Sequence, residues 1–309
     1  MKIISFILIL LIFCVSYLTS EPCGDVNSSD GINIVDALLI AQYYVGLDPV
    51  NFDQNAADVN DDGSINIVDA LLIGVGSTAL LQGVGIGISN QNNVIIRNLR
   101  MTLVGTSDPG SVNGGDVISI SGSSRNIWID HCELYSEDPD QQTDIDKYDG
   151  LIDIKHQTGF ITISWCYLHD HHKGGLLGAA DDDLYSDRKI TFHHNYYNKV
   201  RLRIPMYRGS VGHFFNNYIV GAKDATEIRT GTCVRVEKNY YEALHYSIYT
   251  PSNSPGSTQR IDNIEVERTD RAYPANCTAD IPYDYADVLT NNTQDVKTIV
   301  PQNAGIGKI

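Results

Sequence analysis

A short strand-like segment recurs along the chain and limits the folds open to it. Each copy alternates apolar and polar residues, the pattern of a strand with one buried face. The copies are VIIRNL from Val94, IWIDHC from Ile127, ITISWC from Ile161, ITFHHN from Ile190, HFFNN from His213 and VRVEKN from Val234. In this alignment Leu99, Cys132, Cys166, Asn195, Asn217 and Asn239 stack at steps of 33, 34, 29, 22 and 22 residues. Such spacing, with few helical stretches between the strands, predicts a β-helix whose stacked asparagines form ladders.

Charged residues concentrate in four blocks within this repeat. The blocks are WIDHCEL from Trp128, YDGLIDI from Tyr148, HDHHKGGLLG from His169 and RLRIPMYRG from Arg201. Three of their carboxylates and three of their cations are the candidate site residues, namely Asp130, Asp149, Asp153, Lys173, Arg203 and Arg208. Ionised groups among apolar strand residues are costly unless they are paired or liganded, so we interpret the blocks as parts of one site. The alternative is that the carboxylates are solvated turn residues, with Asp130 at a strand end.

Asp149 and Asp153 can share a metal ion only if the chain bends between them. In a straight strand the two residues would lie about 13 Å apart. Gly150 permits a bend. Carboxylates gathered from neighbouring segments would then form an all-oxygen cage, which suits Ca²⁺ better than zinc.

The order and spacing of these blocks, above all Arg203-x-Pro205-x-x-Arg208-Gly209, resemble the signature of the family-one pectate lyases. The resemblance covers residues 73–309 and implies a right-handed, single-stranded parallel β-helix that lacks its N-terminal coils. It also implies cleavage of polygalacturonate (pectate) by Ca²⁺-dependent β-elimination. By this resemblance Asp130, Asp149 and Asp153 match the calcium ligands, Lys173 and Arg208 match residues that hold substrate carboxylates, and Arg203 matches the proposed base.

Three other functions remain open at this point. A pectin lyase would act on uncharged, methyl-esterified polymer and should not retain the pair Asp149 and Asp153. A glycoside hydrolase on the same scaffold would need an acid and a base carboxylate about 5 to 9.5 Å apart. An inactive, scaffold-anchored pectin-binding module would give no turnover.

An acidic segment precedes the solenoid. Residues 21–72 contain nine Asp and one Glu but neither Lys nor Arg, in a chain whose net charge is −16. This acidity disfavours nucleic acid and anionic membranes as partners and favours cations.

The acidic segment contains a repeat of 33 residues, because GDVNSSDGINIVDALLI from Gly24 recurs as ADVNDDGSINIVDALLI from Ala57. The second copy has the spacing of an EF-hand-like calcium loop, with Gly63 at the turn position. Its predicted ligands are Asp58, Asn60, Asp62, Ser64 and Asp69. The first copy keeps Asp25, Asn27 and Asp36 as candidate ligands but has Asp30 where glycine is wanted, so it departs from the calcium-loop pattern at the turn.

Paired loops of this kind with the run INIVDALLI resemble dockerins. The resemblance implies a small α-helical module over residues 21–72 that binds a cohesin of a cellulosomal scaffold protein, with Ile34-Val35 and Ile67-Val68 setting partner choice. A calcium sensor, or two helices that serve only as core, are the alternatives.

The N-terminus has the features of an export signal. Lys2 precedes an apolar run from Ile3 to Val15, and small residues near position 20 offer a cleavage site. The run is shorter than the roughly 20 residues of a membrane span. Residues 1–20 are therefore predicted to be a signal peptide and the mature protein to be secreted and extracellular.

The six cysteines and nine histidines are candidate disulfide partners or metal ligands. Cys14 should leave with the signal peptide. Cys132 and Cys166 would lie on successive coils, where a disulfide and two stacked thiols fit equally well, and Cys233 and Cys277 are a possible pair. The histidines lack the spacing of a closed zinc site and are interpreted as structural.

Overall fold

A computed structural model describes residues 26–27, 39, 49–57, 72–74, 76–106, 114–266, 269 and 273–309. The strands wind as a parallel β-helix, as predicted, and each coil contributes to as many as three faces. The first face is a nine-stranded sheet of β1 (Leu72–Ile73), β4 (Asn92–Arg97), β7 (Arg125–Asp130), β10 (Gly159–Ser164), β12 (Lys189–His193), β15 (Val211–Phe215), β18 (Cys233–Glu237), β21 (Ser257–Ile261) and β23 (Ala275–Asn276).

The second and third faces are joined into one 14-stranded sheet. The second face holds β2 (Leu80–Gln82), β5 (Arg100–Thr102), β8 (Glu133–Tyr135), β11 (Tyr167–Leu177), β13 (Tyr196–Leu202), β16 (Tyr218–Val220), β19 (Tyr240–Glu242) and β22 (Ile264–Val266). The third holds β3 (Ile86–Ser89), β6 (Ile118–Ser121), β9 (Gly150–Ile154), β14 (Met206–Tyr207), β17 (Asp224–Ile228) and β20 (Tyr246–Tyr249). Strand β11 joins the two faces, because its first half pairs with β8 and β13 and its last residues pair with β9 and β14. Strand β13 makes a second join by pairing Leu202 with Asp224 of β17.

The strand repeat seen in the sequence forms the first face, in the predicted order. Ile127 lies opposite Val94 on one neighbouring strand and opposite Ile161 on the other, and Ile161 in turn lies opposite Ile190. These isoleucines and Val94 are buried. The alternation of apolar and polar residues thus places one apolar side chain from each coil in a continuous core column.

The asparagine ladder is confirmed. The side-chain amide nitrogen of Asn195 donates to Oδ1 of Asn217 at 3.0 Å. The same hydrogen bond recurs from Asn217 to Asn239 and from Asn239 to Asn263, each at 3.0 Å. Oδ1 of Asn195 also accepts the backbone N–H of Cys166, in the preceding coil, at 2.9 Å. The ladder satisfies buried polar groups where the chain turns from the first face to the second.

The cysteine alternatives are resolved by the geometry. Cys233 and Cys277 form a disulfide with a Cα–Cα distance of 6.0 Å. Cys132 and Cys166 remain buried free thiols in the core of successive coils. Of the two arrangements open for this pair, the structure has the stacked thiols.

Segments outside the coils cover parts of the solenoid. A 3₁₀ helix, Ala286–Val288, lies in the segment over the first face. Helix α2 (Thr293–Asn303) begins at the N-cap Asn292 and packs Val296 and Val300 against Tyr240 on the second face. Within the part of the chain that is described, no helix has the length and apolarity needed to cross a membrane.

Little of the acidic segment is described. It includes helix α1 (Gln54–Ala57). Just before this helix, the backbone N–H of Asp53 donates to the carbonyl oxygen of Val26 at 2.7 Å. Residue 72, predicted to end the dockerin-like module, lies in β1 and pairs with Ile96. Among the predicted loop ligands only Asn27 is described. Asp25, Asp36, Asp58, Asn60, Asp62, Ser64 and Asp69 lie outside the described residues, as does the predicted signal peptide.

Candidate active site

An acidic group lies on the third face of the solenoid. One carboxylate oxygen each from Asp116, Asp149 and Asp153 lies within 4.8 Å of the other two. Asp116 precedes β6, Asp149 precedes β9, and Asp153 lies within β9. The group forms because β6 and β9 pair in parallel, with Ser119 opposite Asp153.

Gly150, where the sequence predicted a bend, lies within β9 and makes this convergence possible by lacking a side chain. A Cβ at position 150 would lie 2.2 Å from Oδ1 of Asp153, so no larger residue fits there without moving that carboxylate. The backbone N–H of Gly150 also donates to Asp116 Oδ1 at 3.0 Å. Asp153 Oδ1 in turn accepts the N–H of Leu176 on β11 at 3.1 Å. Two of the three carboxylates are therefore fixed by backbone donors.

Lys155 partly neutralises the group. Its Nζ lies 2.9 Å from Asp153 Oδ2 and 3.4 Å from Asp116 Oδ2. Burial, followed by repulsion from Asp153, still raises the pKa of Asp116 to about 7. Burial also raises the pKa of Asp153, against the opposing effect of Lys155. The carboxylates are thus short of positive charge, which is the condition for a cation site.

The structure does not bring Asp130 into this group, and Asp116 takes its place. Asp130 ends β7 on the first face, where its carboxylate is bound by Arg97 at 2.8 Å, His131 at 2.6 Å and Ser164 at 2.6 Å. The prediction of Asp130 as a third ligand is therefore corrected. Asp116 carried a signal in the sequence that was missed, because GDVISI around it has the same alternation as DGLIDI around Asp149.

Lys173 borders the acidic group, as predicted. It lies on β11 opposite Gly150, and its Nζ is 2.8 Å from Asp146 Oδ1 and 3.2 Å from Asp149 Oδ1. Burial would lower the pKa of Lys173, but the hydrogen bonds that its ammonium donates to these two carboxylates raise the pKa above its usual value. Lys173 is therefore a fixed positive charge beside the acidic group.

Arg203 is a second cation close enough to the acidic group to interact with it electrostatically. It follows β13 with a φ of 60°, and its carbonyl accepts the N–H of Gly175 at 2.8 Å. Its guanidinium acts against the rise in the pKa of Asp153 and helps to lower that of Asp146. Among the described residues, this guanidinium makes no hydrogen bond or ion pair. An unpaired cation next to buried carboxylates is available to a ligand.

Arg208 is engaged elsewhere. Its Nε donates to Asp181 Oδ1 at 2.7 Å and one terminal nitrogen donates to Gly178 O at 3.1 Å. The structure thus ties Arg208 to the loop after β11 rather than to the acidic group.

Oxygen ligands of this kind fit calcium. Asp116, Asp149 and Asp153 supply hard carboxylate oxygens and converge without a histidine or cysteine. Burial raises the pKa of Asp116 and of Asp153, and a divalent cation would reverse this effect. Among the described residues, no other group of three or more His, Cys, Asp or Glu side chains has such a spacing. The residues present therefore fit the ion that the sequence predicted.

The histidines near the site act as packing groups. Burial lowers the pKa of His171 to about 3, which keeps it neutral. His169 stacks between Tyr135 and Tyr167 at centroid distances of 4.6 and 4.1 Å. These surroundings agree with the structural interpretation made from the sequence.

A parallel β-helix with three converging carboxylates and adjacent cations on one face has the charges to bind a metal cation and an acidic ligand. Comparison with known proteins gives the family. A family model described as pectate lyase matches residues 43–309, a range that overlaps the predicted dockerin-like module. The chain belongs to the pectate lyase family and is a polysaccharide lyase.

Relatives and solved structures agree on this assignment. The chain is 40% identical over 240 residues to a pectate trisaccharide-lyase of Bacillus licheniformis, covering 77% of this chain and 67% of that protein. A probable pectate lyase A of Neosartorya fischeri is 35% identical over 236 residues, covering 75% and 68%.

Two solved structures illustrate the similarity in fold. A pectate lyase from Bacillus sp. N165 in complex with trigalacturonate has a TM-score of 0.66 at 32% identity, covering 76% of this chain and 74% of that one. Pectate lyase C from Erwinia chrysanthemi with Ca²⁺ has a TM-score of 0.59 at 26% identity, covering 77% and 74%.

Proposed function

We propose that this lyase cleaves polygalacturonate by calcium-dependent β-elimination and releases unsaturated oligogalacturonides. The observation that carries the proposal is the unpaired guanidinium of Arg203 beside the carboxylate group and Lys173. The proposal is also supported by the trigalacturonate bound to the similar Bacillus sp. N165 enzyme. The retained pair Asp149 and Asp153 favours pectate over methyl-esterified pectin as the substrate.

The reaction depends on stabilising charge. Removal of the C5 proton of a galacturonate unit builds negative charge toward its C6 carboxylate, so cations placed there stabilise the transition state more than the ground state. Asp116, Asp149 and Asp153 would hold Ca²⁺, which when bound supplies positive charge at that carboxylate. Lys173 is already fixed at the edge of the group by Asp146 and Asp149, and it can bind a substrate carboxylate there without large reorganisation.

Arg203 is proposed as the base that takes the C5 proton, on the match of its motif. A guanidinium is fully protonated at pH values below about 12, so Arg203 can accept the C5 proton only as the neutral guanidine. Its unpaired side chain supports the assignment, because a base must be free to reach the substrate proton. Arg208 is proposed to hold a substrate carboxylate, which requires it to share or exchange its contact with Asp181.

Excess chelator should abolish the product. Polygalacturonate digested with and without chelator is followed by the ultraviolet absorbance of unsaturated ends, and added Ca²⁺ should restore the rate. Methyl-esterified pectin is the parallel substrate and should be cleaved poorly. Undiminished product in chelator would contradict the proposal, and new reducing ends without absorbance would indicate hydrolysis instead.

The acidic N-terminal segment is proposed to anchor the secreted enzyme to a cohesin of a cellulosomal scaffold. Support comes from the repeated loop sequence and from the apolar contact that joins Val26 of the first repeat to Ala57 at the start of the second. Asn27 adds support, since its Oδ1 is buried and, within the described residues, has no hydrogen-bond partner, as suits a metal ligand.

Cohesin binding should require calcium and the second loop. The full chain is titrated by calorimetry against a panel of cohesins, with and without Ca²⁺. The double variant Asp58→Ala, Asp62→Ala should lose binding because metal binding is coupled to folding in such small modules. Its lyase activity should be unchanged, which is the internal control. No heat with any cohesin in calcium would leave the segment without an anchoring role.

A further inference from the structure

The outer side of the first sheet is covered over only part of its length. The segment before α2 lies over β12, β15 and β18, where Tyr283 Oη is 2.5 Å from Thr191 Oγ1 and 2.8 Å from His213 Nδ1. Tyr285 continues the cover by donating to Glu237 at 2.9 Å. This segment stops short of β4, β7 and β10, and exposed Val288 forms the rim of what is left open.

A cavity of about 600 Å³ occupies the uncovered part. Its floor is the outer face of β4, β7 and β10, a different face of the solenoid from the acidic group. Trp128 and Phe160 line it and are 37% and 39% exposed. Large exposed aromatic side chains in a concave surface are typical of a binding site rather than of a solvated sheet.

Asp130 holds the cavity rigid, which explains its WIDHC motif. The buried carboxylate binds Arg97 Nε at 2.8 Å and the hydroxyl of Ser164 at 2.6 Å, and Ser164 accepts the indole N–H of Trp128 at 2.8 Å. The guanidinium of Arg97 lies 5.5 Å from the centre of the Trp128 ring. The arginine and the tryptophan are thus held together before any ligand arrives, which lowers the entropic cost of binding.

Arg97 has donors to spare. Its side chain is 33% exposed and uses Nε for Asp130. Among the described residues, its two terminal nitrogens make no hydrogen bond. These nitrogens form a planar edge of the kind that binds a carboxylate in two-point fashion.

The charge around the cavity favours an anion. Arg125 and Lys189 lie 4.6 and 5.3 Å from the Phe160 ring, and both pair with the single carboxylate of Asp187. On the sheet itself, with Arg97 and its buried partner Asp130 included, three cations face two carboxylates, although Asp287 precedes Val288 at the rim and the whole chain carries −16. An aromatic floor with a surplus of positive charge fits a sugar that carries a carboxylate.

We propose that this cavity is a second, non-catalytic site that binds the galacturonate chain away from the acidic group. The inference rests on the proposed function only in taking that polymer as the substrate. Trp128 stacks against a sugar ring and Arg97 binds its carboxylate, without a need for calcium. A polymer held at both places stays near the enzyme between cleavages, which raises its effective concentration at the catalytic face.

The test measures polymer binding in chelator, where no turnover occurs, by affinity electrophoresis in gels containing polygalacturonate. Two variants, Arg97→Gln and Trp128→Ala, should each weaken binding about tenfold, the effect expected from loss of one good charged or stacking contact. Arg260→Gln is the matched control, since Arg260 stacks on Tyr273 at 4.4 Å on the same sheet but outside the cavity, and it should bind normally. Thermal unfolding verifies that each variant is folded. If one of the two cavity variants is not folded, the binding of the other decides the test.

Kinetics separate this inference from the proposed function. With Ca²⁺, the KM for polygalacturonate should rise in both cavity variants, while the rate on trigalacturonate, too short to reach two faces, should be unchanged. If both variants bound the polymer and showed a KM as the wild type does, the proposal of a second site would be wrong. If gels containing neutral dextran retarded the protein as much as gels containing polygalacturonate, the cavity would not be specific for an acidic polymer. If the protein were a dimer that the two variants dissociate, the occupant of the cavity would be a second copy of the chain. Absence of unsaturated ends from either substrate would refute the lyase proposal alone, because the binding assay in chelator does not depend on turnover.

Discussion

Arg203→Lys should abolish the formation of unsaturated ends from polygalacturonate while the polymer still binds. Lysine keeps the positive charge next to Asp153 but is a compact ammonium without the planar fork of arginine. If Arg203 takes the C5 proton, losing that function should lower kcat by about 10²- to 10⁴-fold, the usual contribution of a positioned base. The measurement is the initial rate of ultraviolet absorbance at saturating substrate and calcium.

Arg201→Lys is the matched control for this variant. Arg201 lies two residues earlier on β13, and it pairs with exposed Asp140 rather than with the acidic group. Its replacement should leave kcat within about twofold, since surface ion pairs contribute little. If Arg203→Lys kept near-normal turnover, Arg203 would not be the base.

Asp116→Asn should raise the calcium concentration needed for half-maximal activity by about tenfold or more, because affinity for Ca²⁺ falls with the number of charged ligands. The amide keeps the shape of the side chain and can still accept the N–H of Gly150. Activity at high calcium should recover in part, which distinguishes a weakened metal site from a misfolded protein. The measurement is a calcium titration of the lyase rate.

Asp130→Asn is the comparison that decides between the two ligand sets. Asp130 is buried among Arg97, His131 and Ser164 on another face, so its replacement can cost stability but should not shift the calcium requirement of the folded enzyme. If Asp130→Asn strongly raised the calcium concentration for half-maximal activity and Asp116→Asn did not, the calcium ligands would be those predicted from the sequence. Thermal unfolding of both variants accompanies the titrations.

The coil architecture could be read from the sequence because each strand faces the core on one side only. Ile127, Ile161 and Ile190 stack in register as their spacing predicted, and the asparagines at the following turn form the predicted ladder. The grouping of Lys173 and Arg203 with Asp149 and Asp153 was predicted instead from the order and spacing of their sequence blocks, which resemble the pectate lyase signature. A period-2 pattern is a local property, so neighbouring residues alone are enough to specify it.

Only the tertiary structure decided which acidic residues meet. Asp116 and Asp130 each adjoin an alternating strand, and nothing in that alternation tells on which of three faces the strand lies. The face depends on the length and path of the loops between strands, and on the join made by β11 between the second and third faces. That path places Asp116 beside β9, within 4.8 Å of Asp149 and Asp153, and directs Asp130 to the cavity around Trp128. Carboxylates interact over a few ångströms, so the membership of the acidic group was decided by the winding of whole coils and not by any single motif.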